Sequence, residues 1–85
     1  MTSEQIYELG KQCAQEKDFT KAYDYYKQAA EAGNPNAQYE VGRCLYEGEG
    51  VAINYKESKE WLMKASDNGH GEARFLAGYC FRESL

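Results

Sequence analysis

The sequence predicts an all-α fold, an α-α superhelix (solenoid) of about five antiparallel helices that make up two and a half repeats. Three observations predict it. Apolar residues recur at helical spacing along the chain. Capping residues and glycines divide the 85 residues into segments of ordinary helix length. Residues 29–44 align with residues 65–80 at a constant offset of 36, and a two-helix period of this size is typical of a solenoid.

The first two helices are predicted before Gly33. The first helix runs from about Ser3 to Glu16, with Thr2 or Ser3 as its N-cap residue. Asp18 is predicted to cap the second helix, because its carboxylate accepts hydrogen bonds from backbone N–H groups of the first turn. Gly33 ends that helix, since glycine readily adopts the left-handed conformation found after helix C-termini. The inward-facing residues are Ile6, Leu9, Gly10 and Cys13 in the first helix and Phe19, Ala22, Tyr23, Tyr26, Ala29 and Ala30 in the second.

The third and fourth helices have equally clear boundaries. Asn34 is an N-cap residue followed by Pro35 at the first helical position, where the missing N–H costs nothing. That helix ends near Gly48. Asn54 caps the fourth helix, and Gly69 ends it as Gly33 ends the second. The inward-facing residues are Ala37, Val41, Cys44 and Leu45 in the third helix and Tyr55, Ser58, Trp61, Leu62 and Ala65 in the fourth.

The fifth helix is predicted from about Gly71, with Ala73, Leu76, Ala77 and Cys80 facing inward. Between the third and fourth helices, Gly48 and Gly50 are expected to let the chain reverse through backbone angles that other residues resist. Val51 is expected to close the top of this hairpin.

Small residues are predicted to bring the paired helices close together. Gly10, Gly42 and Gly78 occupy equivalent positions in the first, third and fifth helices. Ala22, Ala29 and Ala65 supply small side chains on the partner helices. Bulky residues at such positions would overpack the contact between the helices, and each would lower the stability of the fold by about 1–3 kcal/mol.

Three short motifs carry a family resemblance: AQYEVG at residues 37–42, GEGV at 48–51, and KASDNG at 64–69 with Trp61 before it. Together they resemble the Sel-one-like repeats, a branch of the tetratricopeptide superfamily. The resemblance covers nearly the whole chain, except that the first helix pair lacks the Gly-x-Gly insertion. It implies one helical-repeat domain over residues 1–85, with repeat one at about 3–33, repeat two at about 34–69 and a half repeat or capping helix at about 70–85.

The composition excludes several classes of function. With a net charge of −4 and dispersed lysines and arginines, the chain lacks the basic patch that a nucleic-acid-binding protein needs. No run of about 18 apolar residues is present, so no membrane span or membrane partner is predicted. Cys13, Cys44 and Cys80 include no CxxC pair, which favours free thiols and a cytoplasmic location. With His70 they form no recognisable zinc set, so no metal and no cofactor is predicted.

An enzyme is not predicted. The tripeptide Ser66-Asp67-Asn68 also occurs in β-lactamases, but their chemistry requires a Ser-x-x-Lys nucleophile and a Lys-Thr-Gly strand. Neither occurs here. His70 lies in a glycine-flanked link between helices, where a capping or exposed role is expected, and no serine or cysteine has a base at a suitable spacing.

The predicted function is therefore protein–protein interaction, as an adaptor or scaffold module that binds a peptide or partner protein. In stacked helix pairs the first helices line the concave side, and aromatic residues with arginine are the chemistry of interaction hot spots. The predicted concave groove is formed by Tyr7, Lys11, Tyr39, Arg43, Tyr46, Phe75, Tyr79 and Arg82, with Glu47 and Glu72 at its edge.

Two alternatives stay open. In the first alternative the chain is a self-associating module, such as a homodimer that buries Leu76, Phe81 and Leu85 of the C-terminal helix against a second copy. In the second it is a fragment of a longer repeat protein, since two and a half repeats are fewer than the roughly three that such arrays usually need.

Overall fold

A computed structural model of the chain describes residues 1–83, which form five α-helices and no β-strand. Consecutive helices pack on one another, so the chain forms a row of helix pairs measuring 37 × 25 × 16 Å. The all-α solenoid predicted from the sequence is confirmed. The helices are α1 (Ser3–Gln15), α2 (Phe19–Glu31), α3 (Pro35–Glu47), α4 (Tyr55–Asp67) and α5 (Ala73–Glu83).

Four helices begin at the predicted N-cap residues. Thr2, rather than Ser3, caps α1, where its hydroxyl accepts a backbone hydrogen bond and Gln5 returns one in a capping box. The side chains of Asp18, Asn34 and Asn54 each accept a hydrogen bond from the backbone N–H three residues later, at 3.3, 3.0 and 3.0 Å. These bonds satisfy N–H groups that have no partner inside the helix.

The start of the fifth helix differs from the prediction. Regular helix begins at Ala73, two residues after Gly71, because the chain first turns at residues 70–72. The Ala73 N–H donates to the His70 carbonyl at 3.3 Å in that turn. Ser84 and Leu85, which complete the predicted capping segment, lie outside the described residues.

The reversal between α3 and α4 uses the two predicted glycines. Gly48 and Gly50 have φ angles of +74° and +75°, in the left-handed region that side-chain-bearing residues rarely adopt. Gly50 also packs directly on the backbone of Phe19, at the start of α2, with no space for a Cβ atom. Val51 lies partly buried against the core. The loop therefore ties the second helix pair onto the first.

The core consists of two clusters of small and medium side chains. The larger lies among α1, α2 and α3, and the smaller lies between α4 and α5. Half of the buried residues in each cluster are alanines, which lets the helix axes approach closely. The buried apolar residues are Ala22, Tyr26, Ala29, Ala30, Ala37, Val41, Cys44 and Leu45 in the first cluster and Leu62, Ala65, Ala73 and Cys80 in the second.

Two of the three predicted close-contact glycines behave as expected. A Cβ atom at Gly10 would lie 2.7 Å from the ring of Tyr26, and one at Gly42 would lie 2.5 Å from Cγ of Leu62. The prediction is wrong for Gly78, where a Cβ atom would meet nothing within 4 Å. The physical reason is that no helix within residues 1–83 covers that side of α5.

Polar side chains also join the helices, and the apolar pattern did not predict these contacts. The buried Gln38 donates to the Ala30 carbonyl at 3.1 Å and accepts from the Asn68 amide at 3.0 Å, so it links α3 to the ends of α2 and α4. The fully buried Ser58 hydroxyl donates to the Gly42 carbonyl at 2.5 Å and contacts Cys80 Sγ at 3.2 Å. Each bond satisfies groups that burial would otherwise leave unpaired.

Candidate interaction surface

The eight residues predicted to line the groove all lie on the odd-numbered helices, and this surface is called the odd-helix face below. Four of its side chains are exposed and four are half-buried. Only the exposed ones are free to make large new contacts. The exposed residues are Lys11, Phe75, Tyr79 and Arg82, and the half-buried residues are Tyr7, Tyr39, Arg43 and Tyr46.

Burial and carboxylates of neighbouring segments raise the pKa values of two tyrosines on this face. Burial and the nearby carboxylate of Glu40, on α3, raise the pKa of Tyr7 on α1. Burial and the carboxylate of Glu72, just before α5, raise the pKa of Tyr39 on α3. Carboxylates of the following segments thus act on Tyr7 and Tyr39 of this face.

Arg43 is the centre of an ion-pair network. Its Nε lies 2.8 Å from Glu40, and its Nη1 lies 2.7 Å from both Glu47 and Glu49. Burial alone would lower the pKa of Arg43, but hydrogen bonds to Glu40 and Glu49 outweigh it and raise the pKa further above its ordinary value. Arg43 therefore holds the α3–α4 loop in place, a role that its sequence position did not indicate.

Tyr39 stacks on His70, which sequence reasoning had assigned to a capping or exposed position. The ring centroids lie 4.4 Å apart and the planes differ by 12°. His70 is half-buried, and its Nδ1 atom has no hydrogen-bond partner. The stack fixes the link between α4 and α5 against α3. No local sequence pattern signals this contact, because 31 residues separate the partners.

The most accessible aromatic surface lies on α5. Phe75 is 72% exposed and Tyr79 is 49% exposed. The guanidinium of Arg82 lies over the Tyr79 ring, 5.2 Å from its centroid. Residues four and three positions apart share one side of a helix, so the three side chains form a continuous stripe. We call this set the α5 stripe.

The described residues offer little catalytic chemistry. Residues 1–83 contain no group of three or more His, Cys, Asp or Glu side chains arranged to hold a metal ion. All three cysteines are free thiols, and burial raises the pKa of Cys44 to about 12. Ser66 and Asp67 complete the last turn of α4, while Asn68 is its C-cap residue. That β-lactamase-like tripeptide therefore ends a helix.

The described helices are also too short and too polar for a membrane. Within residues 1–83, none combines the length and apolar character needed to cross a bilayer.

Comparison with known families divides the chain into two parts. Residues 35–70 match the Sel1 repeat family, and residues 3–34 match the tetratricopeptide repeat. A crystal structure of a Sel1 repeat protein from Oxalobacter formigenes superimposes with a TM-score of 0.86 at 35% identity, covering 89% of this chain and 60% of that one.

Curated relatives are larger proteins. The chain is 39% identical over 62 residues to an exopolysaccharide production negative regulator of Rhizobium meliloti, covering 72% of this chain and 23% of the relative. It is 37% identical over 62 residues to the chitin synthase regulator SKT5 of Saccharomyces cerevisiae, covering 73% of this chain and 9% of the relative. The chain thus spans a quarter or less of the length of either relative.

Proposed function

Because the chain belongs to the Sel1-like repeat family, we propose that it is an adaptor or scaffold module that binds a peptide or a partner protein through the odd-helix face. Sel1 and tetratricopeptide repeats generally mediate protein–protein interaction, and the family is generally non-catalytic. Two relatives are named as regulators. The observation that carries the proposal is the α5 stripe, a row of exposed aromatic side chains on this face.

The stripe suits a binding anchor. Phe75 and Tyr79 each offer a large apolar area to a partner at low cost in side-chain entropy. The guanidinium of Arg82 lies over the Tyr79 ring in a cation–π contact. Aromatic residues and arginine dominate interface hot spots, so burial of this stripe would contribute most of the binding free energy.

Charge narrows the class of partner. In the network on α3, the carboxylates of Glu40, Glu47 and Glu49 surround the single guanidinium of Arg43, which leaves an excess of two negative charges. Glu72 lies nearby, just before α5. A partner segment that places lysine or arginine beside an apolar anchor would complement this surface, and its association would weaken as salt screens the charges.

The test is partner capture with variants that leave the fold intact. Phe75→Ser with Tyr79→Ser removes the exposed aromatic groups without disturbing the buried core. Ile53→Ser is the matched control, because Ile53 is 53% exposed but lies in the loop before α4. Changing Arg43 would be a poorer test, since the loss of its ion pairs would disturb the α3–α4 loop.

The expected result is a protein from the source lysate that the unchanged chain and the Ile53→Ser chain retain and the double variant loses. Circular dichroism should show the same helix content in all three chains. Equal retention by the double variant would exclude the α5 stripe as the binding surface.

A further inference from the structure

A groove between the two even-numbered helices carries side chains that the proposed function does not use. It has a volume of about 460 Å³, and both of its walls, α2 and α4, are complete helices. No residue that lines it belongs to the odd-helix face. We call it the α2–α4 groove. Its charged and aromatic lining residues are Lys27 on α2 and Lys56, Glu57, Glu60, Trp61 and Lys64 on α4.

Two lysine ammonium groups lie over the ring of Trp61 in this groove. Nζ of Lys64 lies 4.7 Å from the ring centroid, and Nζ of Lys27 lies 5.8 Å from it. Lys27 belongs to α2 and Lys64 to α4, so cations from both walls converge on one half-buried aromatic side chain. A single ligand bound against the indole is therefore within reach of both ammonium groups.

These two cations have weak or no carboxylate partners within the chain. Lys27 pairs with Glu57 at 4.0 Å, and the two side chains of this pair are 33% and 38% exposed. No carboxylate within residues 1–83 forms an ion pair with Lys64. Because exposed ion pairs are weak, an incoming carboxylate can compete with Glu57 for Lys27, and at Lys64 it displaces no ion pair.

The charge of the groove is opposite to that of the odd-helix face. Its three lysines exceed its two glutamates by one charge, in a chain whose net charge is −4. The network around Arg43 on the odd-helix face has an excess of two negative charges. Trp61 adds an indole N–H, which acts only as a hydrogen-bond donor. Acidic side chains are therefore favoured in the α2–α4 groove and disfavoured on the odd-helix face.

From this geometry we infer that the α2–α4 groove is a second docking site, which binds an acidic segment of a partner protein. The segment places an apolar side chain against Trp61 and carboxylates beside Lys27 and Lys64. Since the odd-helix face suits a segment of the opposite charge, the two sites hold two different partners. A second copy of this chain fits the groove less well, because the carboxylates of its Arg43 network are already paired.

The test uses Trp61 as its reporter, because it is the only tryptophan in the chain. Its fluorescence and its indole N–H signal in ¹H–¹⁵N NMR spectra respond to a ligand in this groove. The probe is the peptide EELEE, blocked at both ends and titrated into the full chain at low salt. We expect a saturable shift of the indole signal with EELEE and none with the neutral peptide QQLQQ.

Variants of the groove give the specificity of this binding. Lys64→Gln and Lys27→Gln should each weaken binding of EELEE about two- to fivefold. Lys21→Gln is the matched control: it removes the same charge from an exposed lysine of α2 outside the groove and should leave the affinity unchanged. Glu57→Gln should strengthen binding, because it removes the carboxylate that competes for Lys27. Circular dichroism should show the same helix content in all of these chains.

Several results would overturn the inference. These are an indole signal that EELEE does not move, equal binding of QQLQQ, and a Lys21→Gln variant that weakens binding as much as Lys64→Gln does. Self-association of the unchanged chain in sedimentation, lost in Lys64→Gln, would identify a second copy as the occupant and overturn the partner-segment inference.

These outcomes are separate from those of the proposed function. Phe75→Ser with Tyr79→Ser alters the α5 stripe and should leave the titration with EELEE unchanged. Lys64→Gln should in turn leave partner capture through the α5 stripe unchanged.

Discussion

Gly42 and Gly78 occupy equivalent positions on α3 and α5, yet alanine at the two positions should change stability in opposite directions. A Cβ atom at Gly42 would lie 2.5 and 2.6 Å from the Cγ and Cδ2 atoms of Leu62 and 3.2 Å from the Ser58 carbonyl oxygen. Leu62 is fully buried and cannot swing aside, so α3 and α4 must separate. At Gly78 the same Cβ atom would meet nothing within 4 Å.

The magnitudes follow from two opposing effects. Alanine in place of glycine inside a helix contributes about 0.5–1 kcal/mol of stability through backbone entropy. Overpacking at Gly42 costs about 1–3 kcal/mol, so the net loss of stability there is about 0–2.5 kcal/mol, centred on about 1 kcal/mol. At Gly78 there is no overpacking, so only the entropic gain of about 0.5–1 kcal/mol remains. For a domain of this size, 1 kcal/mol corresponds to about 4–8 °C in Tm.

Urea and thermal unfolding, followed by far-UV circular dichroism, measure both variants against the unchanged chain. Gly42→Ala should unfold earlier and Gly78→Ala at the same point or later, with unchanged dependence on denaturant. Equal shifts of the same sign would refute the assignment of Gly42 as a close contact and Gly78 as an open position.

Three further predictions concern the loop, a buried amide and a thiol. Gly50→Ala should lower stability more than Gly42→Ala, because φ at Gly50 is +75° and the added Cβ atom would overlap the backbone of Phe19. Thermal unfolding measures this loss, and an unchanged Tm would contradict the prediction. Gln38→Ala should lower the free energy of unfolding, measured with urea, by about 1–3 kcal/mol, since it leaves the hydrogen-bonding groups at the ends of α2 and α4 unpaired. A near-zero change would mean that water replaces both hydrogen bonds. Burial raises the pKa of Cys44 from 9.0 to about 12, so the folded state holds its proton where the unfolded state has lost it. Stability from this thiol is therefore complete below about pH 9 and should fall as pH rises from there towards 12, and a Cys44→Ala chain should show a shallower fall in urea unfolding across that range.

The interaction surface could be predicted only in part from the sequence. Periodicity placed all eight predicted residues on the odd helices, because side-chain direction follows from position along a helix. It did not distinguish Phe75, which is 72% exposed, from Tyr39, which stacks on His70. It also did not show that Arg43 is held by three carboxylates, one of which, Glu49, lies in a loop.

The sequence by itself determined the helices and their limits. Asp18, Asn34 and Asn54 cap the helices that follow them through hydrogen bonds to residues three positions away, and Gly48 reverses the chain through its own backbone angles. These interactions are local, so residue type and spacing are sufficient to predict them. The offset of 36 then implied that the helices stack in pairs.

Only the tertiary structure decided which equivalent positions are covered. Gly42 and Gly78 share a sequence context, but Leu62 packs on the first and no residue in the described chain packs on the second. Gln38 and Asn68 meet across 30 residues of sequence. Contacts of this kind depend on where whole helices lie, because packing joins side chains that no local pattern relates.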